Sequence, residues 1–199
     1  MIILLTHKWP NLFIFTHFIW GKIMKVKRRI KLMTIILATG LTMNAMAANY
    51  AAVDKDSCSK MVNSMEPFIL ILKSGDNLHE GINKCATDAR LIGAAIHGLG
   101  QLSDPILAHY SNDPHEKPHF TQFNGIYELI SLNGNIARSG NEYYTHLHAV
   151  LGNEKFEGLA GHIKDTQIGV TAEITIVPFS KPLERDVDPE TGFGPIVTE

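Results

Sequence analysis

Basic side chains are scarce where a nucleic-acid-binding protein would need them. Of the 18 lysines and arginines in this 199-residue chain, seven precede Ala48 (Lys8, Lys22, Lys25, Lys27, Arg28, Arg29 and Lys31), and none of the 20 acidic residues does. From residue 48 onward, 11 basic residues face 20 acidic ones, a net charge of −9, with no basic run among them. Such a balance repels a phosphate backbone, which attracts proteins through clustered Lys and Arg. Cysteine is nearly absent. Cys58 and Cys85 are the only two, and their spacing excludes a C-x-x-C redox motif. An even pair reads either as one disulfide in an oxidising compartment or as two free thiols that never meet. Also missing are G-x-S-x-G, a Walker loop and a dinucleotide fingerprint. There are no internal repeats. The apolar stretch from Leu32 to Met43 falls short of the ~20 residues that cross a bilayer, which argues against a membrane anchor.

What that stretch does fit is an export signal. From Met24 the chain reads Lys25-Val-Lys-Arg-Arg-Ile-Lys31, five cations in seven positions. The apolar run to Met43 follows, and then Ala45-Met46-Ala47, with small residues where a signal peptidase needs them. Residues 24–47 are therefore expected to be removed, leaving a mature chain that starts at Ala48 in the periplasm or outside the cell. No cysteine stands close behind the apolar run, so no lipid attachment point is evident. Residues 1–23 read as a long leader or as sequence upstream of the true start, and no function is assigned to them.

In the mature chain, residues 48–65 are polar and small and read as an N-terminal arm. Pro67–Leu72 is an apolar run of strand length. Asp76 or Asn77 can cap a short helix over Leu78–Lys84, weakened by Gly81. Ala89–Leu99 reads as a strand that bends or approaches a neighbour at its glycines, and Pro105–Tyr110 as another. Gly125–Leu132 is a strand, with Asn133-Gly134 as a hairpin turn into Asn135–Arg138. Tyr143–Leu151, Leu159–Ile163 and Val170–Val177 complete the set. Some seven short strands with regular turns predict a single α+β domain over residues 66–180, with a mainly antiparallel sheet and one short helix. Residues 181–199 read as a tail without periodicity.

The chemistry concentrates at three histidines. Residues i and i+2 of a strand share a face, so His146 and His148 present two imidazoles side by side. If Lys155 sits mid-turn in the following hairpin, position 148 faces position 162, which is His162. Three imidazoles then converge, an arrangement known for zinc with an open fourth position. The alternative is a neutral, hydrogen-bonded histidine cluster. His97 is a candidate for the lining of the same cavity. Glu173 and Glu128 are candidates for a base or for a hydrogen-bond partner of a liganding histidine, and each also reads more simply as a solvent-facing residue. His79, His115 and His119 read as helix-face or loop residues, and His109 as cross-strand packing.

The segments Ala89-Arg-Leu-Ile-Gly-Ala-Ala-Ile-His-Gly-Leu-Gly100, Tyr127-Glu-Leu-Ile-Ser-Leu-Asn-Gly-Asn135, His146-Leu-His148, Gly161-His162 and Thr171-Ala-Glu173 occur in this order. Together they resemble the PPC (plants and prokaryotes conserved) domain, often labelled PD1-like DNA-binding, over roughly residues 66–179. Asp188-Pro-Glu-Thr-Gly192 resembles the family's tail. The resemblance implies an antiparallel α+β domain, a homotrimer and, in some prokaryotic members, a metal held by histidines, here His146, His148 and His162. Plant members contact DNA through separate AT-hooks, and no Arg-Gly-Arg-Pro core is present. The expectation is an exported, trimeric module that binds zinc or another divalent transition metal through these histidines, together with an unknown small molecule or protein. A metal-dependent hydrolase or lyase is the first alternative. DNA binding is the second, disfavoured by the acidic chain, the export signal and the missing AT-hook.

Overall fold

The computed structural model describes residues 51–113, 116–190 and 193–198. The export signal, its cleavage site, residues 1–23, His115 and Gly192 lie outside the described residues. In chain order the elements are β1 (Ala52–Asp54), a 3-10 turn (Cys58–Met61), β2 (Phe68–Lys73), α1 (Leu78–Ala89), β3 (Ala94–His109), β4 (His119–Gln122), β5 (Ile126–Ser139), β6 (Glu142–Gly152) and β7 (Gly158–Pro178). The period of two is clean where the core needs it: Phe68, Leu70 and Leu72 of β2 are buried, as are Thr145, Leu147, Ala149 and Leu151 of β6.

The strands form one sheet in the order β1-β2-β7-β6-β5-β3-β4, and β3 also pairs with β7. The four long strands β3, β5, β6 and β7 thus close into a ring. The β1–β2 pair is parallel and the other strand pairs are antiparallel. Closure removes free edges from the long strands. The ring and α1 share one apolar core, to which α1 contributes Leu78, Ile82, Cys85, Ala86 and Ala89.

Several boundaries differ from those read in the sequence. The helix runs on to Ala89, five residues past the expected end at Lys84. Asn77 caps it, its side chain accepting from Glu80 N at 3.1 Å. It ends where Arg90 turns left-handed at φ 55 and its N–H reaches Ala86 O and Thr87 O. Gly81 is less a weak point than a contact: a Cβ there would come within 2.7 Å of Leu72 Cδ2, so glycine lets α1 lie close on β2. The strand expected from Ala89 begins only at Ala94, and it joins the one expected at Pro105–Tyr110 as a single bent β3. Register shifts at Gly98–Gly100 and Ser103–Ile106 supply the bends. Asp104 stands at φ 51 and accepts Gly125 N at 2.7 Å, so Pro105 falls at a bulge, where its missing N–H costs no ladder bond.

The Asn133-Gly134 turn does not form. Both residues lie inside β5, paired with His148 and Leu147. A Cβ on Gly134 would fall on the carbonyl oxygen of His146, so glycine serves there for close approach of β6 rather than for a reversal. Leu159–Ile163 and Val170–Val177 likewise fuse into the single strand β7. The N-terminal arm carries β1 and the 3-10 turn, and a disulfide from Cys58 to Cys85, with Cα atoms 5.1 Å apart, joins that turn to α1. Among the described residues no helix is long and apolar enough to cross a membrane.

Candidate metal centre

The β6–β7 hairpin turns on Asn153, whose side-chain oxygen accepts Lys155 N at 2.9 Å and Glu157 N at 3.0 Å, while Phe156 takes the left-handed position at φ 62. Gly152 then pairs with Gly158, and four pairs along the ladder His148 stands opposite His162. That is the register read from the hairpin's centre. His146 lies two residues from His148 on the same outward face of β6, its inward neighbours Thr145 and Leu147 being buried.

The result is a compact triad. The ring centroids are 5.1 Å apart for His146–His148, 5.1 Å for His146–His162 and 5.3 Å for His148–His162. One ligand nitrogen from each ring lies within 4.8 Å of the others. His146 Nε2 and His148 Nε2 are 3.2 Å apart. Two nitrogens bound to one tetrahedral zinc at the usual Zn–N distance are about 3.3 Å apart, so this edge already has the spacing of a zinc site. The donor set fits a borderline cation such as zinc as well as copper, iron or nickel. Electrostatics favour the neutral rings that ligation needs. Burial first, then the neighbouring His146 and His148, push His162 down from 6.5 to about 4. Burial, Arg185 and His148 lower His146.

Arg185 has no counterpart in the sequence reading. It comes from the tail, where Arg185 N donates to Arg138 O at 2.8 Å and Arg138 N to Leu183 O at 2.8 Å, so the segment runs along the end of β5. Its guanidinium is buried. It lies over the Tyr144 ring at 5.0 Å, and its Nη1 donates to Gly194 O. Its Nη2 donates to Asn135 Oδ1 at 2.9 Å and meets His146 Nδ1 at 3.2 Å. Its Nε is buried without a partner. A guanidinium can only donate, so His146 Nδ1 carries a lone pair here and Nε2 carries the proton that His148 Nε2 accepts.

A cavity of about 460 Å³ opens over the triad, walled by Tyr110, Tyr144, His109, Phe193 and Pro195 and floored by the histidines and Arg185. Tyr110 stands edge-on to His162, centroids 5.2 Å apart. Tyr144 was within reach of sequence reasoning, since it shares the face of His146 and His148 by period two. Arg185 was not, because it lies 39 residues from His146 in a stretch without pattern.

The remaining candidates lie elsewhere. His97 is exposed on β3 and its Nδ1 bonds Asn133 Oδ1 at 3.0 Å rather than reaching the triad. Glu173 is exposed in the distal half of β7, opposite Ile71 and Leu99. Glu128 accepts from Gln101 Nε2 at 3.0 Å. Neither acid lines the cavity. His109 packs across strands as one reading had it, but its partner His119 opens β4 rather than lying in a loop, and His109 also lines the cavity. His79, on α1, has a buried Nδ1 without a partner, and burial lowers its pKa.

A mostly antiparallel α+β sheet that gathers three histidines beside one helix defines the class. The model of the Plants and Prokaryotes Conserved (PCC) domain matches residues 59–180, and the chain belongs to that family. No curated protein matches the chain. Solved structures share its fold. A plant- and prokaryote-conserved protein from Pyrococcus horikoshii superposes with a TM-score of 0.61 at 25% identity, covering 67% of this chain and 92% of that one. A protein from Ralstonia eutropha JMP134, provisionally described as DNA-binding, gives 0.61 at 22% identity over 69% and 94%. A metal-containing protein from Archaeoglobus fulgidus gives 0.59 at 21% identity over 67% and 94%.

Proposed function

We propose that this chain is an exported, homotrimeric binding module built around one divalent transition metal, zinc first, held by His146, His148 and His162. The observation that carries the reading is the convergence of three ligand nitrogens within 4.8 Å. The description of the Archaeoglobus relative as metal-containing supports it. Bound there, the metal would act as a Lewis acid with a fourth position open to a ligand. A hydrolase or lyase would need a proton-transfer group beside that position; the acids considered for it, Glu173 and Glu128, lie outside the cavity, which leaves that role to His109, Tyr110 or Tyr144 of its walls. With no carboxylate among the described lining residues, the ligand-binding reading ranks above the catalytic one. The acidic mature chain leaves DNA binding last.

The test is calorimetric titration of zinc into metal-stripped protein. Wild type and His97→Ala should bind one equivalent with the same affinity. His148→Ala should lose more than the roughly 10–100-fold that removal of an outer-shell partner costs. Equal affinity in wild type and His148→Ala would show the cluster to be ordinary surface chemistry.

A further inference from the structure

The charges around the triad do not balance once a metal is counted. Three neutral imidazoles leave a divalent ion its full charge of two, and the buried guanidinium of Arg185 adds one more. Among the described residues, no aspartate or glutamate lines the cavity. Hydrogen bonding points the same way. A metal on His146 Nε2 moves that ring's proton to Nδ1, where it confronts the Nη2 of Arg185 at 3.2 Å, donor against donor. Arg185 then loses an acceptor while its Nε, already buried, still has none. A buried donor without an acceptor is costly, and so is an uncompensated buried charge.

We infer that the cavity takes a small organic carboxylate, with Arg185 pairing one carboxylate oxygen beside the metal and thereby selecting an anion over a neutral ligand. This rests on the metal reading above. A carboxylate supplies what the pocket lacks: negative charge, and two acceptor oxygens that match a guanidinium. The cavity volume of about 460 Å³ suits a metabolite rather than a peptide, and Tyr110, Tyr144 and Phe193 offer aromatic walls to its apolar part. Arg185 is the specificity-determining residue of such a site, delivered by the tail to a centre built by β6 and β7.

The experiment loads metal-stripped protein with cobalt(II) and follows its visible absorption while benzoate, or its neutral isostere benzamide, is added. Benzoate should shift the cobalt bands saturably, and benzamide should bind at least tenfold more weakly. Metal-stripped protein should bind neither in calorimetry. Arg185→Gln, fully loaded with cobalt, should bind benzoate at least tenfold more weakly than wild type. Equal response to benzoate and benzamide in the wild type overturns the inference without recourse to the variant. So does unchanged benzoate affinity in Arg185→Gln. Failure of cobalt to bind at all overturns the metal reading, and this inference with it. Cobalt binding without a benzoate response overturns this inference alone.

Discussion

His162 is pressed toward its neutral form by burial and by the two histidines beside it, with a pKa of about 4 against an ordinary 6.5. The unfolded chain takes up this proton near 6.5 and the folded chain only near 4, so acid favours the unfolded state across that window. The sign is fixed: the contribution to stability is whole above the higher value and is lost as pH falls toward the lower. Metal-stripped wild type should therefore show a melting temperature that drops more steeply between about pH 7 and about pH 4.5 than that of His162→Gln. Identical slopes would mean that His162 is solvated like a free histidine. At this scale the sequence was most legible where a residue acts through strand period. His146, His148 and His162 needed only alternation and a turn centre. Gly134 was misread because Asn-Gly is a turn signal by composition, while here its lack of a Cβ clears space for the His146 carbonyl.

Among the elements, the β6–β7 hairpin was readable because Asn153 and the flanking glycines mark a local reversal. The long strands β3, β5 and β7 were not. Each is cut in the sequence by residues that usually end strands: Asp104-Pro105, Asn133-Gly134 and the polar stretch around Gln167. Closure of the ring holds all three continuous; bulges absorb the breakers in β3 and β7, while Asn133-Gly134 stays in regular register in β5. Arg185 lies beyond any local signal, since its partners come from β5 and β6. The Cys58–Cys85 bond, with a sequence separation of 27, ties the 3-10 turn to α1. In the chain-entropy treatment a loop of this length stabilises by about 3.5 kcal/mol. Urea unfolding of the oxidised protein and of the double variant Cys58→Ala/Cys85→Ala should differ by roughly that amount, with the disulfide form more stable. A difference below about 1 kcal/mol would mean that the N-terminal turn is held by its burial alone.

At the scale of the whole molecule, four of the exposed apolar side chains, Ile126, Ile130, Val150 and Phe156, line a cleft of about 850 Å³ between the ends of β5 and β6. Phe156 is 97% exposed and Ile130 61%. A patch of this kind is better covered by a second subunit than by water, which supports the proposed trimer. Light scattering of the wild type should give three times the subunit mass, and Ile130→Asp combined with Phe156→Asp should give the monomer. A wild-type monomer at micromolar concentration would remove the proposal. Export has its own check: intact mass of the protein recovered from outside the cytoplasm should correspond to a chain beginning at Ala48, and retention of residues 24–47 would contradict it.

Under the proposed export, the Cys58–Cys85 bond would also become a matter of timing. A precursor in a reducing compartment carries two thiols instead, and lacks several kcal/mol of the 5–15 kcal/mol that typically holds a domain folded. Such a chain is easier to keep slack for threading through a translocation pore. Once across, oxidation would fasten the N-terminal turn to the helix and keep the threading from running backward. The bond that staples the finished fold would then also be, along that proposed journey, a ratchet.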